Sequence, residues 1–142
     1  MLYGLPDGTT HRLQIVQNAL ARVVCKSSKF RSNTKSLLRS LHWLPIPERI
    51  KYKIAVLTFK TRLFSKPSYL FDLLSPYNPC RTLRSSSNLL DTPFICSLHG
   101  RSSFSYAAPK IWNSLSDELR SCSTVSSFCS KLKTDLFPPL PL

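Results

Sequence analysis

At 142 residues the chain has the length of a single domain and can bury a modest hydrophobic core. Twenty lysine and arginine residues against seven aspartate and glutamate residues give a net charge of +13, which favours a polyanionic partner, most often a nucleic acid. A solvated basic surface, or a fragment of a larger protein whose acidic part is missing, would carry the same excess. The sequence contains no apolar run of about 18 residues, so neither a membrane span nor a membrane partner is expected.

The cysteines and the N-terminus indicate an intracellular protein. Residues 1–6 lack the basic start and the apolar run of a signal peptide, and five cysteines without close pairs favour a reducing compartment. Cys96 and His99 have a ligand-like spacing that Cys122 and Cys129 could complete. Zinc modules usually show two tight pairs, however, so we expect neither zinc nor any other cofactor.

The first ten residues are predicted to form a loop, because Pro6, Asp7 and Gly8 are typical of a turn. Thr9 or Thr10 can cap a helix that runs to about Cys25. The apolar side of this helix is formed by Leu13, Val16, Leu20, Val23 and Val24, and Gln14, Asn18 and Arg22 are expected to face outward. Residues 26–33 then form a basic connector.

Residues 36–64 contain the strongest apolar periodicity and are divided by two prolines. Pro45 ends a short helix, because proline lacks an N–H and excludes the preceding residue from helical geometry, whereas Pro47 suits the first turn of a second helix over 47–64. The second helix has two nearly opposite apolar sides, so we expect it to be the central helix, buried on both. One side carries Ile50, Ile54, Leu57 and Phe64, and the other carries Tyr52, Val56, Phe59 and Leu63.

The remainder of the chain is predicted to be an arm followed by short helices. Pro67 starts one short helix, and residues 75–104 are rich in serine and proline, with a short β-hairpin near 89–107. Pro109, Ser116 and Thr124 are each expected in or before the first turn of a C-terminal helix. The prediction is therefore one mainly α-helical domain of about five or six helices. Its parts are a loop over 1–10, a helical core over 11–74, the arm over 75–104, C-terminal helices over 105–137 and a frayed tail over 138–142.

Basic side chains are the candidate functional residues, because no carboxylates are spaced for two-metal chemistry and no glycine-rich phosphate loop occurs. We therefore expect no enzymatic activity and no small-molecule substrate. Cations near aromatic side chains suit phosphate contact and base stacking. His42, beside Trp43, is expected to be a packed side chain rather than a base. The predicted nucleic-acid-binding residues are Lys51, Lys53, Lys60, Arg62, Arg81 and Arg84.

Four blocks in this order carry a family resemblance: HWLP at 42–45, PSYL-x-DLL at 67–74, AAP-x-x-WNSL at 107–115 and SSF-x-x-x-LK-x-x-LF at 126–137. With the segments around them, they make the chain resemble the region that follows the polymerase domain in non-LTR (LINE-type) retrotransposon reverse transcriptases, most closely the chicken-repeat group. Ser116 stands where this group usually has proline. The resemblance extends from Leu2 to Phe137.

The resemblance implies a helical accessory region that contacts template or target nucleic acid. The polymerase aspartates and the endonuclease of such enzymes are not among these residues, so it implies a non-catalytic remnant with weak, sequence-nonspecific binding to RNA or DNA. Two alternatives stay open. In the first, the chain is a structural module that packs on a polymerase domain through one apolar side of the central helix. In the second, it is a translated pseudogene without function.

Overall fold

The computed structural model describes residues 2–27, 33–78 and 88–137, and it confirms a small, mainly α-helical domain. No described helix is both long enough and apolar enough to cross a membrane. Eight helices lie within the described ranges, more than the five or six expected, because three of them are single turns. They are α1 (Asp7–Val24), α2 (Thr34–Ser40), α3 (Ile46–Phe64), α4 (Ser68–Phe71), α5 (Leu98–Arg101), α6 (Phe104–Asn113), α7 (Asp117–Arg120) and α8 (Val125–Leu136).

The central position of α3 follows from the helices that surround it: α1, α4, α6 and α8 all contact it. It begins directly after Pro45, and Pro47 lies in its first turn, as the sequence predicts. The expectation of two buried apolar sides is wrong in part. Ile54 and Phe59 are buried, but Leu57 and Phe64 are 38% and 58% exposed. Helices therefore cover α3 over one broad arc, and its C-terminal half keeps apolar side chains at the surface.

The core is organised by three aromatic rings from three helices. Phe59 of α3 stacks on Phe128 of α8 with ring centroids 4.3 Å apart, and Trp112 of α6 lies 6.3 Å and 6.1 Å from them. Trp112 and Phe128 are essentially inaccessible to solvent. Thr124 caps α8 by accepting a hydrogen bond from the Ser127 N–H at 3.3 Å, as expected. The C-terminal helices are thus as much part of the core as the N-terminal half of the chain.

Helix α1 differs from the prediction in its start and in the side that packs. It begins at Asp7, immediately after Pro6, rather than after a threonine cap. Its buried residues are Gln17 and Ala21. The apolar side expected to pack is instead exposed: Leu13, Val16, Leu20, Val23 and Val24 have between 36% and 74% of their surface open to solvent.

Two glutamine side chains explain why α1 packs through its polar side and exposes its apolar one. The Gln17 amide donates a hydrogen bond to the Leu44 carbonyl at 2.8 Å, and Gln14 Oε1 accepts one from the Ile46 N–H at 2.8 Å. Pro45, at the N-cap of α3, supplies no side-chain cap. The first turn of a helix leaves backbone N–H groups without partners, and Gln14 satisfies one of them from outside the helix.

The predicted β-hairpin near 89–107 is wrong. Within the described residues only an isolated antiparallel bridge, between Pro76 and Leu90, occurs in this region. The second half of the expected hairpin is α5 and the start of α6, because Ser97 caps α5 by accepting from the Gly100 N–H. Pro109 consequently lies inside α6 rather than in its first turn.

The side chain of Asn113 bonds the backbone of Leu90, the residue of the isolated bridge. It accepts from the Leu90 N–H at 3.0 Å and donates to the Leu90 carbonyl at 2.8 Å. This pair of bonds satisfies both backbone groups of a residue that is only 2% exposed. Asn113 thereby holds Leu90 against α6.

Candidate nucleic-acid interface

The connector between α2 and α3 is the HWLP block, and its backbone bonds turn it sharply. The His42 N–H donates to the Arg39 carbonyl at 2.9 Å, and the Trp43 N–H donates to the Leu38 carbonyl at 2.7 Å. His42 takes a left-handed conformation with φ of 54°. Its side chain is exposed, so the expectation of a packed histidine is wrong. Leu44 is buried and anchors the turn.

Two adjoining clefts, each of about 320 Å³, open beside this connector and share His42 and Lys133. Together they form one continuous surface, which we call the basic cleft, between the connector, the first turns of α3 and the end of α8. The first part is lined by His42, Trp43, Leu44, Arg49, Tyr52, Lys53 and Lys133. The second part is lined by Arg39, His42, Ser130, Lys133, Thr134 and Phe137.

The lining of the basic cleft combines positive charge with aromatic surface. It includes two arginines, two lysines and three aromatic side chains, and none of its lining residues in the described part of the chain is a carboxylate. Burial, together with a hydrogen bond and a charge interaction from the neighbouring Cys129 thiol, raises the pKa of Tyr52. The Tyr52 phenol is therefore neutral at physiological pH. Such a surface can contact phosphates through its cations and stack bases on its rings.

Of the residues predicted from the sequence, Lys53 lines the basic cleft. Lys60 lies on the same side of α3, further along the helix. Both are exposed, and they are two turns apart on one side of α3, about 10 Å along its axis. Lys51 is also exposed, but it lies about 200° around the helix from Lys53. The structure therefore brings Lys53 and Lys60 together and separates Lys51 from them.

Arg62 occupies a different environment from the lysines. Its guanidinium carbon lies 4.8 Å from the centroid of the Trp112 ring, and its Nη2 donates to Asn88 Oδ1. Burial, and to a lesser extent the positive charge of Arg120, lower the pKa of Arg62. These contacts join α3 to α6, on the side of α3 away from Lys53. The remaining two predicted residues, Arg81 and Arg84, lie outside the described residues.

Several cleft residues were absent from the sequence-based list: Arg39, His42, Trp43, Arg49, Tyr52, Lys133 and Phe137. Arg49 and Lys53 are four residues apart in α3, so helical spacing alone could have paired them. Lys133 and Phe137 come from the far end of the chain. They reach the connector only because Phe128 docks α8 on α3, and a local pattern does not contain that information.

In the described ranges, no three histidine, cysteine, aspartate or glutamate side chains are grouped so as to hold a metal ion. No protein-family model matches the chain, and neither a curated protein nor a solved structure shows significant similarity to it.

Proposed function

We propose that the chain binds RNA or single-stranded DNA along the basic cleft, weakly and with little sequence preference. The observation that carries this proposal is the composition of the cleft, in which Arg49, Lys53 and Lys133 lie beside Trp43 and Tyr52. Cationic grooves with aromatic platforms are the usual means of binding single strands, because every base has a face that can stack. The net charge of +13 adds attraction at long range.

The resemblance to the region after a retrotransposon polymerase domain supports the same partner. We propose that the chain is a non-catalytic remnant of that region, with nucleic acid as its ligand. The HWLP block, one of the four blocks of the resemblance, forms the wall of the cleft at His42, Trp43 and Leu44. Primer extension on a homopolymer template with magnesium or manganese should give no product above a mock preparation.

The salt dependence of binding tests the cleft. Binding at low salt alone is uninformative, because a chain of such high net charge attracts any nucleic acid under those conditions. We expect the logarithm of the association constant for labelled oligo(dT) or oligo(U) to fall linearly with the logarithm of salt concentration, by about 0.7 for each of about four to six phosphate contacts. Replacing Lys53 and Lys133 together by glutamine removes two cations from the cleft. The slope should then fall by about 1.4.

The matched control is the double substitution of Lys51 and Lys131 by glutamine. It removes the same charge from the same two helices, but neither residue lines the basic cleft. We expect less than half of the slope change seen with the cleft variant. Equal losses in the two variants would mean that charge acts without a defined site, and the proposal would be wrong.

Fluorescence gives a second, salt-independent test. Trp112 is buried in the core, whereas Trp43 lines the cleft, so quenching by bound bases should come from Trp43. Trp43→Ala should abolish the quenching and lower the affinity, since base stacking contributes about 1–3 kcal/mol per base. Trp43→Phe should keep most of the affinity. Unchanged quenching in Trp43→Ala would exclude stacking at this position.

The alternative function, a module that packs on a polymerase domain, is favoured by one observation. The C-terminal half of α3 exposes Leu57 and Phe64, two turns apart on the same side of the helix, with 38% and 58% of their surface open. If this surface is the working interface, substitutions there should abolish binding to a polymerase domain and leave the salt slope for oligonucleotides unchanged.

A further inference from the structure

The exposed side of α1 has the geometry of a helix-packing surface, and in the described part of the chain its apolar side chains are open to solvent. Leu13, Val16, Leu20 and Val23 are separated by three, four and three residues. This spacing places them in one stripe along the helix, and it is the spacing of the a and d positions of a coiled coil. We call these four residues with Val24 the α1 stripe. Every member is exposed, with Val23 at 74%.

The stripe is not a by-product of loose packing of α1. The side of the helix next to the stripe is held against the α2–α3 connector and the start of α3: Gln17 donates to the Leu44 carbonyl, Gln14 accepts from the Ile46 N–H, and Ala21 on that side is fully buried. The helix is therefore fixed in an orientation that presents its apolar residues outward. A continuous apolar surface of this kind on a well-anchored helix indicates an interaction site.

The charges around the stripe select the partner. Arg12 precedes the stripe on its open flank and Lys26 follows the end of the helix, and both are exposed. The helix has one carboxylate, Asp7, a turn and a half before Leu13 on the side that packs. We propose that the α1 stripe binds an amphipathic helix of another protein, with leucine-type residues at three- and four-residue spacing and acidic residues on its flanks.

A second copy of the chain fits the stripe less well than an acidic helix does. Two copies would bring +13 against +13, and Arg12 and Lys26 of each would meet the same charges on the other. Like charges beside a coiled-coil seam disfavour pairing, whereas opposite charges there set partner choice. An anionic lipid surface would also satisfy the charge, so vesicle binding is included as an outcome of the test.

A designed peptide tests the proposal on the full chain. The probe is a helix of four heptads with leucine at the a and d positions and glutamate at the e and g positions. We expect one peptide to bind per chain, whereas a peptide of the same composition with the spacing scrambled, or with lysine in place of glutamate, should not bind. The double variant V16S/L20S should weaken binding at least about tenfold, because two apolar contacts are lost.

Ile15→Ser is the matched control, since Ile15 and Leu20 are both 53% exposed but lie about 140° apart around α1. It should change peptide affinity less than about twofold. The cleft variant K53Q/K133Q should also retain peptide binding, which separates this site from the basic cleft. Unchanged thermal melts of V16S/L20S would show that the fold is intact, as expected for exposed positions.

Four results would overturn the proposal. The first is failure of the acidic peptide to bind, and the second is equal binding of the scrambled peptide. The third is a dimer in sedimentation equilibrium that V16S/L20S converts to a monomer, because the stripe would then bind a second copy. The fourth is binding to phosphatidylglycerol vesicles that V16S/L20S abolishes while the peptide fails to compete, because the stripe would then bind lipid.

Discussion

Phe59→Ala should be among the most destabilising single substitutions in the chain. The side chain is 5% exposed, its ring stacks on Phe128 at 4.3 Å, and it lies 6.3 Å from the ring of Trp112. Truncation of a buried phenylalanine costs about 3–5 kcal/mol through lost burial and the cavity that remains. Stacked aromatic pairs contribute about 0.5–1.5 kcal/mol beyond their area, which places this site in the upper part of that range.

The comparison with Leu57→Ala makes this prediction specific to packing. Leu57 lies in the same helix two residues earlier, but it is 38% exposed, and its truncation leaves an open surface rather than an enclosed cavity. We expect Leu57→Ala to lower the free energy of unfolding by about 1 kcal/mol. Urea unfolding followed by far-UV circular dichroism measures both. Equal losses would mean that the second apolar side of α3 is buried after all, and the assignment of one packed arc would be wrong.

Three further predictions concern single side chains. Asn113→Ala should lower the free energy of unfolding by about 1–3 kcal/mol and speed hydrogen exchange of the Leu90 amide, because the Asn113 side chain bonds the N–H and the carbonyl of Leu90. An unchanged exchange rate would contradict this role. Arg62→Met should lower the free energy of unfolding by about 1–2 kcal/mol, because its contacts with Trp112 and Asn88 are lost. It should not alter the salt slope of oligonucleotide binding, and a reduced slope would mean that Arg62 contacts the nucleic acid. Because the pKa of Tyr52 is raised in the folded state, the stability it contributes is complete below about pH 10 and is lost as pH rises through the folded-state value. Tyr52→Phe should therefore show a smaller alkaline loss of stability in a pH series of urea titrations, and an identical loss would rule Tyr52 out as its source.

The elements that could be predicted from sequence are those that depend on chemistry within a few residues. Pro45 and Pro47 mark the start of α3, because proline suits the first turn of a helix, whereas α2 ends at Ser40, before the left-handed His42 and well before Pro45. Thr124 and Ser116 likewise mark the starts of α8 and α7. Each of these signals acts locally, so the tertiary structure did not override it.

The hairpin failed because an extended, apolar segment does not reveal what satisfies its backbone. Leu90 does form an antiparallel bridge, with Pro76, as a strand residue would. The N–H and carbonyl of Leu90 bond the side chain of Asn113, more than twenty residues later, while Leu89 and Asp91 bond the backbone of Tyr77 and Ser75 in a bridge of one residue pair. Strand signals in the sequence report a preference for extended backbone and burial, and they do not specify the partner.

Only a small part of the candidate site was predictable, because of the residues that line the basic cleft the sequence-based prediction named Lys53 alone. Lys53 and Lys60 share one side of a helix, and the helical period alone places them together. Lys133 joins Lys53 only through the docking of α8 against α3, which depends on aromatic packing in the core. The sequence-based prediction included Arg62 among the binding residues because it lies on an edge of α3. In the structure its guanidinium instead packs on the ring of Trp112, a core residue.

The orientation of α1 shows how a polar requirement can outweigh an apolar pattern. Ile46 begins α3 with an N–H that Pro45 cannot cap, and Gln14 supplies the acceptor. Gln17 holds the Leu44 carbonyl from the same side, and Leu44 also lines the basic cleft. Turning the α1 stripe inward would leave these two backbone groups without partners, and each unpaired buried group costs about 1–3 kcal/mol. The same bonds that shape the connector of the cleft therefore leave the stripe on the surface, where it can take a partner without disturbing the cleft.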